Sequence, residues 1–494
     1  MHPAIDKGAL ALAEAIRGRA LLPSEALHEV ISRIQARNPS LNALVSSCFE
    51  TAQHRADLAD VHLRGLSQEA LDALPPLFGV PFVVSESLAL AGLPHSSGSR
   101  FRSDRIAGED ATAVTRLVEA GAIPVGVANT AELGFWIETQ NLVYGRTASP
   151  WDPSRIAGGA SGGVAALVAT RCVPFGLGVD MCGSLRIAGH ACGVFTHKPS
   201  GGLVPVTGFE PLPDGRMRRY TGIGPIARST DDLSAILGII AGPDPRDPMS
   251  LNQPELPIER WDPVWRRVVV IRDFGIPGLN VSDENAKQLE LATSILEAKG
   301  AVIEYWQPRE LRDAFWIWLA LVHEGYGLSW NFSDRIVPGQ RGAWLKELLR
   351  APLGRSRVSL PVAMMAITEA ITKESFLRIQ RNSAAGRRLR DRIQALLQDD
   401  GILLLPVLPG APPKHRRTLT QPHLVAWTGL FNTLELPVTT VPMMGSRSKY
   451  PVGIQVVARE HRDDLALSAA QTIAAGAPKV SAPGERRTSF FRRP

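Results

Sequence analysis

Gly158-Gly159-Ala160-Ser161-Gly162-Gly163 and, after a largely apolar run, Gly178-Val179-Asp180-Met181-Cys182-Gly183-Ser184-Leu185-Arg186 decide the fold of this chain. The first glycine turn opens a small-residue helix predicted over residues 161–171. A strand predicted over 173–179 carries the chain to the second turn. Two such turns can gather backbone N–H groups and a serine hydroxyl at one point, which is the geometry acyl-transfer chemistry needs.

The elements around these turns extend the pattern. Helical periodicity covers residues 9–17 and 24–37, with Ala26, Leu27, Val30, Ile31 and Ile34 on one face. Asn38-Pro39 is expected to stop the second helix. A buried strand is predicted over 78–84, a helix over 110–120 and a strand over 123–127. Further on, the sequence predicts a surface crossing over 247–263, a strand at 268–271, a helix over 283–299, a long Arg-rich helix over 372–398 and a strand at 403–406. Alternating strands and helices predict an α/β fold, a large twisted mixed sheet covered by helices on both faces. Ligands in such folds bind at the carboxyl ends of strands, where both glycine turns fall.

Composition narrows the class. The 494 residues are 45% hydrophobic and 21% charged, enough apolar material for a large core. One domain is expected over residues 1–480, with a basic, disordered tail over 481–494. A net charge of +6 without a nucleic-acid motif is read as solubility and substrate attraction. Cys48, Cys172, Cys182 and Cys192 lack metal-site spacing, so they are read as reduced thiols. No metal or cofactor is expected. Neither a signal peptide nor a run of 18 or more apolar residues is evident, and a soluble cytoplasmic protein is expected.

The two turns closely resemble the amidase signature family of serine hydrolases. Support comes from Tyr144-Gly145-Arg146, His197-Lys198-Pro199-Ser200, Lys414-His415 with Pro422, and Gly453-Ile454-Gln455-Val456-Val457-Ala458. The resemblance runs from Asn38 to about Asp464 and is strongest to the fatty-acid-amide-hydrolase branch. It implies the amidase-signature fold and a Ser–cis-Ser–Lys triad, in which a neutral lysine deprotonates the nucleophile through a bridging serine. Ser184 falls at the nucleophile and Ser161 at the family's second serine. Where the family ends its Gly-Val-Pro strand in lysine, Gly79-Val80-Pro81-Phe82-Val83-Val84 ends in Ser85. Ala160 stands at the bridging serine. The spacing from Ala160 to Ser184 equals the family's spacing between those two serines, so the register is secure.

A serine hydroxyl is a weak nucleophile without its base. By analogy with other hydrolases, loss of the relay costs roughly 10³ to 10⁶ in rate, about 4–8 kcal/mol of barrier. Without the serine, the Gly159–Ala160 peptide is also expected to have less reason to stay cis.

Several residues are candidates for what replaces the relay, each with a plain structural alternative. Ser184 is a nucleophile or hydrogen-bond donor, or a helix cap. Cys182 is a replacement nucleophile or acid acting with His190, or a small apolar filler. His190 lines a pocket or is a satisfied core histidine. Glu86 is a carboxylate base if desolvated, or is kept for hydrogen bonding. Met181 and Gly183 belong to the loop that forms the family's oxyanion hole. Asp180 and Arg186 are expected to form a partly buried ion pair shaping that loop, and Cys192 is read as packing. The aromatic stretches at 315–319 and 344–349 are a wall for a lipophilic substrate or a membrane-surface cap, or else packed helices or a dimer interface. Arg216, Arg218 and Arg219 are read as a solvated loop, with contact to an anionic carrier protein as the alternative.

Three functions remain open on this reading. One is a repurposed enzyme performing acyl transfer, cyclisation, isomerisation or elimination on an amide-, ester- or polyketide-like small molecule. Another is an inactive pseudoamidase that binds a ligand or partner. The third is an amide hydrolase with a different base.

Overall fold

In a computed structural model the chain is described at residues 3–251, 265–327, 336, 343–350, 355–372, 376–446 and 448–484. Most of the predicted basic tail and most of the crossing at 247–263 lie outside the described residues.

Among the described residues, one sheet of eleven strands runs through the chain. In chain order these are β1 (Leu44–Ser47), β2 (Pro81–Ser85), β3 (Ile123–Ala128), β4 (Phe175–Asp180), β5 (Phe195–Lys198), β6 (Gly222–Ala227), β7 (Arg267–Val270), β8 (Val302–Tyr305), β9 (Gly401–Pro406), β10 (Val438–Met443) and β11 (Val452–Ala458). Their spatial order is β1-β3-β2-β4-β6-β5-β10-β11-β9-β7-β8. The sheet is mixed, as expected. β3, β2 and β4 run parallel, as do β9, β7 and β8, while the strands between these two groups pair antiparallel.

Burial follows from the coverage. β2, β3, β4, β6, β9, β10 and β11 are buried at every residue, which is why they read as apolar runs without alternation. The edge strands β1 and β8 reach solvent. The Gly162–Ala169 helix is buried at every position. A Cβ at Gly163 would stand 2.5 Å from Asn129 O, and one at Gly176 on β4 the same distance from Val164 Cγ1. That closeness requires the small residues of the first glycine stretch and seats its helix directly on the strand leading to Ser184.

Two of the boundaries that differ from expectation have a local cause. The helix over 24–37 runs from Pro23 to Leu41, through Pro39. A missing N–H in the final turn is tolerated, and the helix closes on left-handed Asn42, whose N–H bonds Asn38 O at 2.8 Å. The strand expected from residue 78 begins at Pro81, because Val80 N–H turns back onto Leu77 O at 3.0 Å. Among the described residues, no helix is long and apolar enough to cross a membrane.

Candidate functional site

β2 and β4 are neighbours in parallel, so Ser85 and Asp180 sit at the same end of the sheet. After β4 the chain turns through Met181, Cys182 and Gly183 into the Ser184–Cys192 helix. Gly183 has φ 110, and a Cβ there would lie 1.9 Å from Thr428 Oγ1. The turn therefore demands glycine at this position.

A buried polar knot fixes the turn. Asp180 and Arg186 are both fully buried and pair at 3.0 Å. Asp180 also accepts the N–H groups of Gly183 at 2.6 Å and Leu185 at 3.2 Å. The Gly183 N–H is thus committed to a carboxylate and does not face a ligand. Arg186 donates further to Thr428 O at 2.7 Å, to Gln455 Oε1 at 3.2 Å and to Asn432 Oδ1. Burial alone would raise the Asp180 pKa, but Arg186 and Asn432 outweigh it and hold the carboxyl below its usual range.

The first glycine turn docks against the same strand. Ser161 Oγ donates to Val179 O and accepts Val179 N–H, both at 2.9 Å. Contrary to expectation, the Gly159–Ala160 peptide is cis. Thr139 Oγ1 lies 2.7 Å from Gly158 O and 3.0 Å from Ala160 O, holding this turn from the side. Ala160 and Ser85 are fully buried, and the Ser85 hydroxyl has no hydrogen-bond partner among the described residues. Ser184 is 2% exposed at the first position of its helix.

Cys182 and His190 have different surroundings. Burial, and then the neighbouring Asp180, push the Cys182 thiol up to about 12. The His190 ring is fully buried, its Nδ1 accepts Gly453 N–H at 2.9 Å, and burial lowers its pKa to about 4. It is a neutral imidazole at the sheet. Cys192 is buried with Sγ 3.3 Å from Ala157 O.

Glu86, which follows Ser85, is buried under donors. Oε1 accepts Ser96 N–H at 2.7 Å, Ser96 Oγ at 2.6 Å and Tyr144 OH at 2.9 Å, and Oε2 accepts Gly98 N–H at 3.2 Å. Burial nevertheless pushes this carboxyl up to about 7.

A cavity of about 100 Å³ opens against Met181 and Cys182. Phe315 and Trp318 of the Ala314–Tyr326 helix form one wall and Phe135 with Trp136 another. The 315–319 stretch is therefore a pocket wall as well as a packed helix. The stretch at 344–349 exposes Leu345 and Leu349.

The reading of Arg216, Arg218 and Arg219 as a solvated loop is corrected. Arg216 and Arg219 both pair with the fully buried Glu435, and Arg218 pairs with Asp247. A buried carboxylate requires cations, and Arg216 and Arg219 supply them. Sequence reasoning assigned no role to Thr428, Asn432 and Gln455, which hold Arg186 from more than 240 positions away. It missed the His415 Nδ1–Glu138 Oε1 contact of 2.6 Å beside the first glycine turn as well. Among the described residues, no group of three or more His, Cys, Asp or Glu could hold a metal ion.

This mixed eleven-stranded sheet, with its glycine turns at the ends of buried strands, defines an α/β scaffold. The chain belongs to the amidase signature family: the family model described as Amidase matches residues 25–467. Among curated relatives, human fatty-acid amide hydrolase 2 is 33% identical over 479 residues, covering 95% of this chain and 89% of that protein. An acylamidase from Rhodococcus erythropolis is 31% identical, covering 94% of each. A solved structure described as a vestigial protein complex revealing the origins of an s-triazine catabolic enzyme superposes with TM-score 0.80 at 25% identity, covering 96% of this chain and 99% of that one.

Proposed function

We propose that this chain is an amidase-fold protein whose hydrolytic relay has been dismantled, and that it binds the apolar part of an amide- or acyl-type small molecule against the Met181-Cys182-Gly183-Ser184 turn. The observation that carries this reading is the contrast between the two halves of the site. The turn is held by a complete polar knot and faces a cavity. At the positions that the sequence resemblance aligns with the relay stand a buried serine, Ser85, without a hydrogen-bond partner among the described residues, and an alanine, Ala160, with no side-chain atom to pass a proton. The named activities of the relatives, fatty-acid amide hydrolase and acylamidase, support an amide or acyl group as the ligand's chemistry.

The replacement candidates add little nucleophilic power. A thiol near 12 is protonated at neutral pH, and His190 is turned to Gly453. One observation favours a second reading, in which new chemistry runs from Glu86. Its carboxyl is near 7, where a general base works best. Against it, four donors already occupy its oxygens.

The test is restoration. Ser85→Lys with Ala160→Ser should gain amide hydrolysis that Ser184→Ala abolishes, while the unchanged protein binds the same amide without turnover. Hydrolysis by the unchanged protein that depends on Ser184 would refute the proposal. Glu86→Gln decides the second reading, since loss of a product formed by the unchanged protein would favour it.

A further inference from the structure

We infer that the group held in the cavity beside Cys182 is a single uncharged aromatic ring and not a long acyl chain. This rests on the proposed binding function and specifies its ligand.

Size is the first argument. An apolar cavity on the order of 150 Å³ accepts one benzene. The space beside Cys182, about 100 Å³, belongs to the class of one ring.

The walls limit its growth. The Trp136 indole N–H is tied to Thr418 Oγ1 at 3.1 Å. Trp318 is pressed against Gly429, where even a Cβ would meet the indole nitrogen at 2.8 Å. Phe315 is wedged between Trp318 and His423, with ring centroids 5.8 and 4.6 Å away. These aromatic side chains are fixed walls, and a long alkyl chain needs more length than a space of about 100 Å³ provides.

The chemistry of the lining is the second argument. Four methionines, Met181, Met217, Met364 and Met365, border the cavity together with the Cys182 sulfur. Thioethers make favourable contacts with aromatic rings, and three rotatable bonds let each methionine adjust around a flat ligand. The fixed aromatic walls offer stacked or edge-on contacts to the same ring. A charged group would find apolar side chains on most sides, so the ring must be neutral.

The experiment uses the unchanged full chain and two soluble probes, phenylacetamide and octanamide, titrated while following the fluorescence of the pocket tryptophans. Phenylacetamide is expected to bind at least tenfold more tightly. Met365→Ala, and independently Met364→Ala, should narrow that ratio at least threefold by lengthening the cavity. Octanamide binding more tightly than phenylacetamide would overturn the inference and leave the binding function standing. Saturation by neither probe would overturn the binding function, and the inference with it. A preference for phenylacetamide that neither methionine variant changes would overturn the assignment of the ring to this cavity.

Discussion

Replacing Arg186 by methionine should be among the most damaging single changes in the chain. The guanidinium is fully buried and engages Asp180 through two nitrogens at 3.0 and 3.1 Å. It also serves Thr428 O, Gln455 Oε1 and Asn432 Oδ1. Methionine fills much of the volume but removes the cation directly paired with the buried Asp180, leaving Lys198 as a more distant positive charge. Breaking a buried pair from one side costs about 3–5 kcal/mol, and each orphaned acceptor adds roughly 1–3 kcal/mol where it cannot rehydrate. A loss of at least ~4 kcal/mol is therefore expected. Urea unfolding at pH 7, followed by tryptophan fluorescence, should show the midpoint falling by about 1 M or more. The sign with pH is fixed too. Arg186 holds the Asp180 carboxyl low in the native chain, so in the variant its pKa rises and the deficit shrinks as protonation removes the buried charge. Asp180→Asn in the Arg186→Met background should recover part of the loss. A loss under about 1 kcal/mol would show that the knot does not set the turn, against the buried-pair argument.

Three further outcomes follow from the same geometry. The Cys182 thiol, pushed up to about 12, should alkylate at pH 8 at least about a hundredfold more slowly than a free thiol; peptide mass analysis reads this, and labelling at the free rate would contradict the burial argument. Gly183→Ala places a Cβ 1.9 Å from Thr428 Oγ1 at φ 110 and should cost about 3 kcal/mol. Gly108→Ala, which meets nothing within 4 Å, should change stability by under about 0.5 kcal/mol in the same denaturation assay. Burial lowers the His190 pKa to about 4, so its contribution is fully present above the unfolded value near 6.5. It is lost as pH falls from about 6.5 to 4, up to about 3 kcal/mol. His190→Asn should flatten the fall of the urea midpoint over that window, and an unchanged slope would count against a neutral buried imidazole.

Local physics made part of this molecule readable from the sequence. The strands at Pro81–Ser85, Ile123–Ala128 and Phe175–Asp180 and the helix between the glycine turns are announced by apolar runs bounded by glycine. Asp180 and Arg186 lie six residues apart across a helix start, so their pairing is legible too. What escaped depends on contacts distant in sequence. Arg186 is saturated from Thr428, Asn432 and Gln455, and Glu435 gathers Arg216, Arg219 and Arg390. No local pattern encodes those meetings. Asn38-Pro39 carried a stop signal that one more helical turn overrode. Cys182 and His190 are neighbours along the chain, but the helix between them turns the imidazole to Gly453 and leaves the thiol at the cavity.

We propose that Ser184 sits in an intact turn without a base. The most direct measurement exposes the full chain to the p-nitroanilide of phenylacetic acid, following p-nitroaniline release while intact mass reports any acyl group on the protein. The account predicts release no faster than from the Ser184→Ala protein, and no added acyl mass. Release that Ser184→Ala abolishes, with the acyl mass mapped to Ser184, would contradict it.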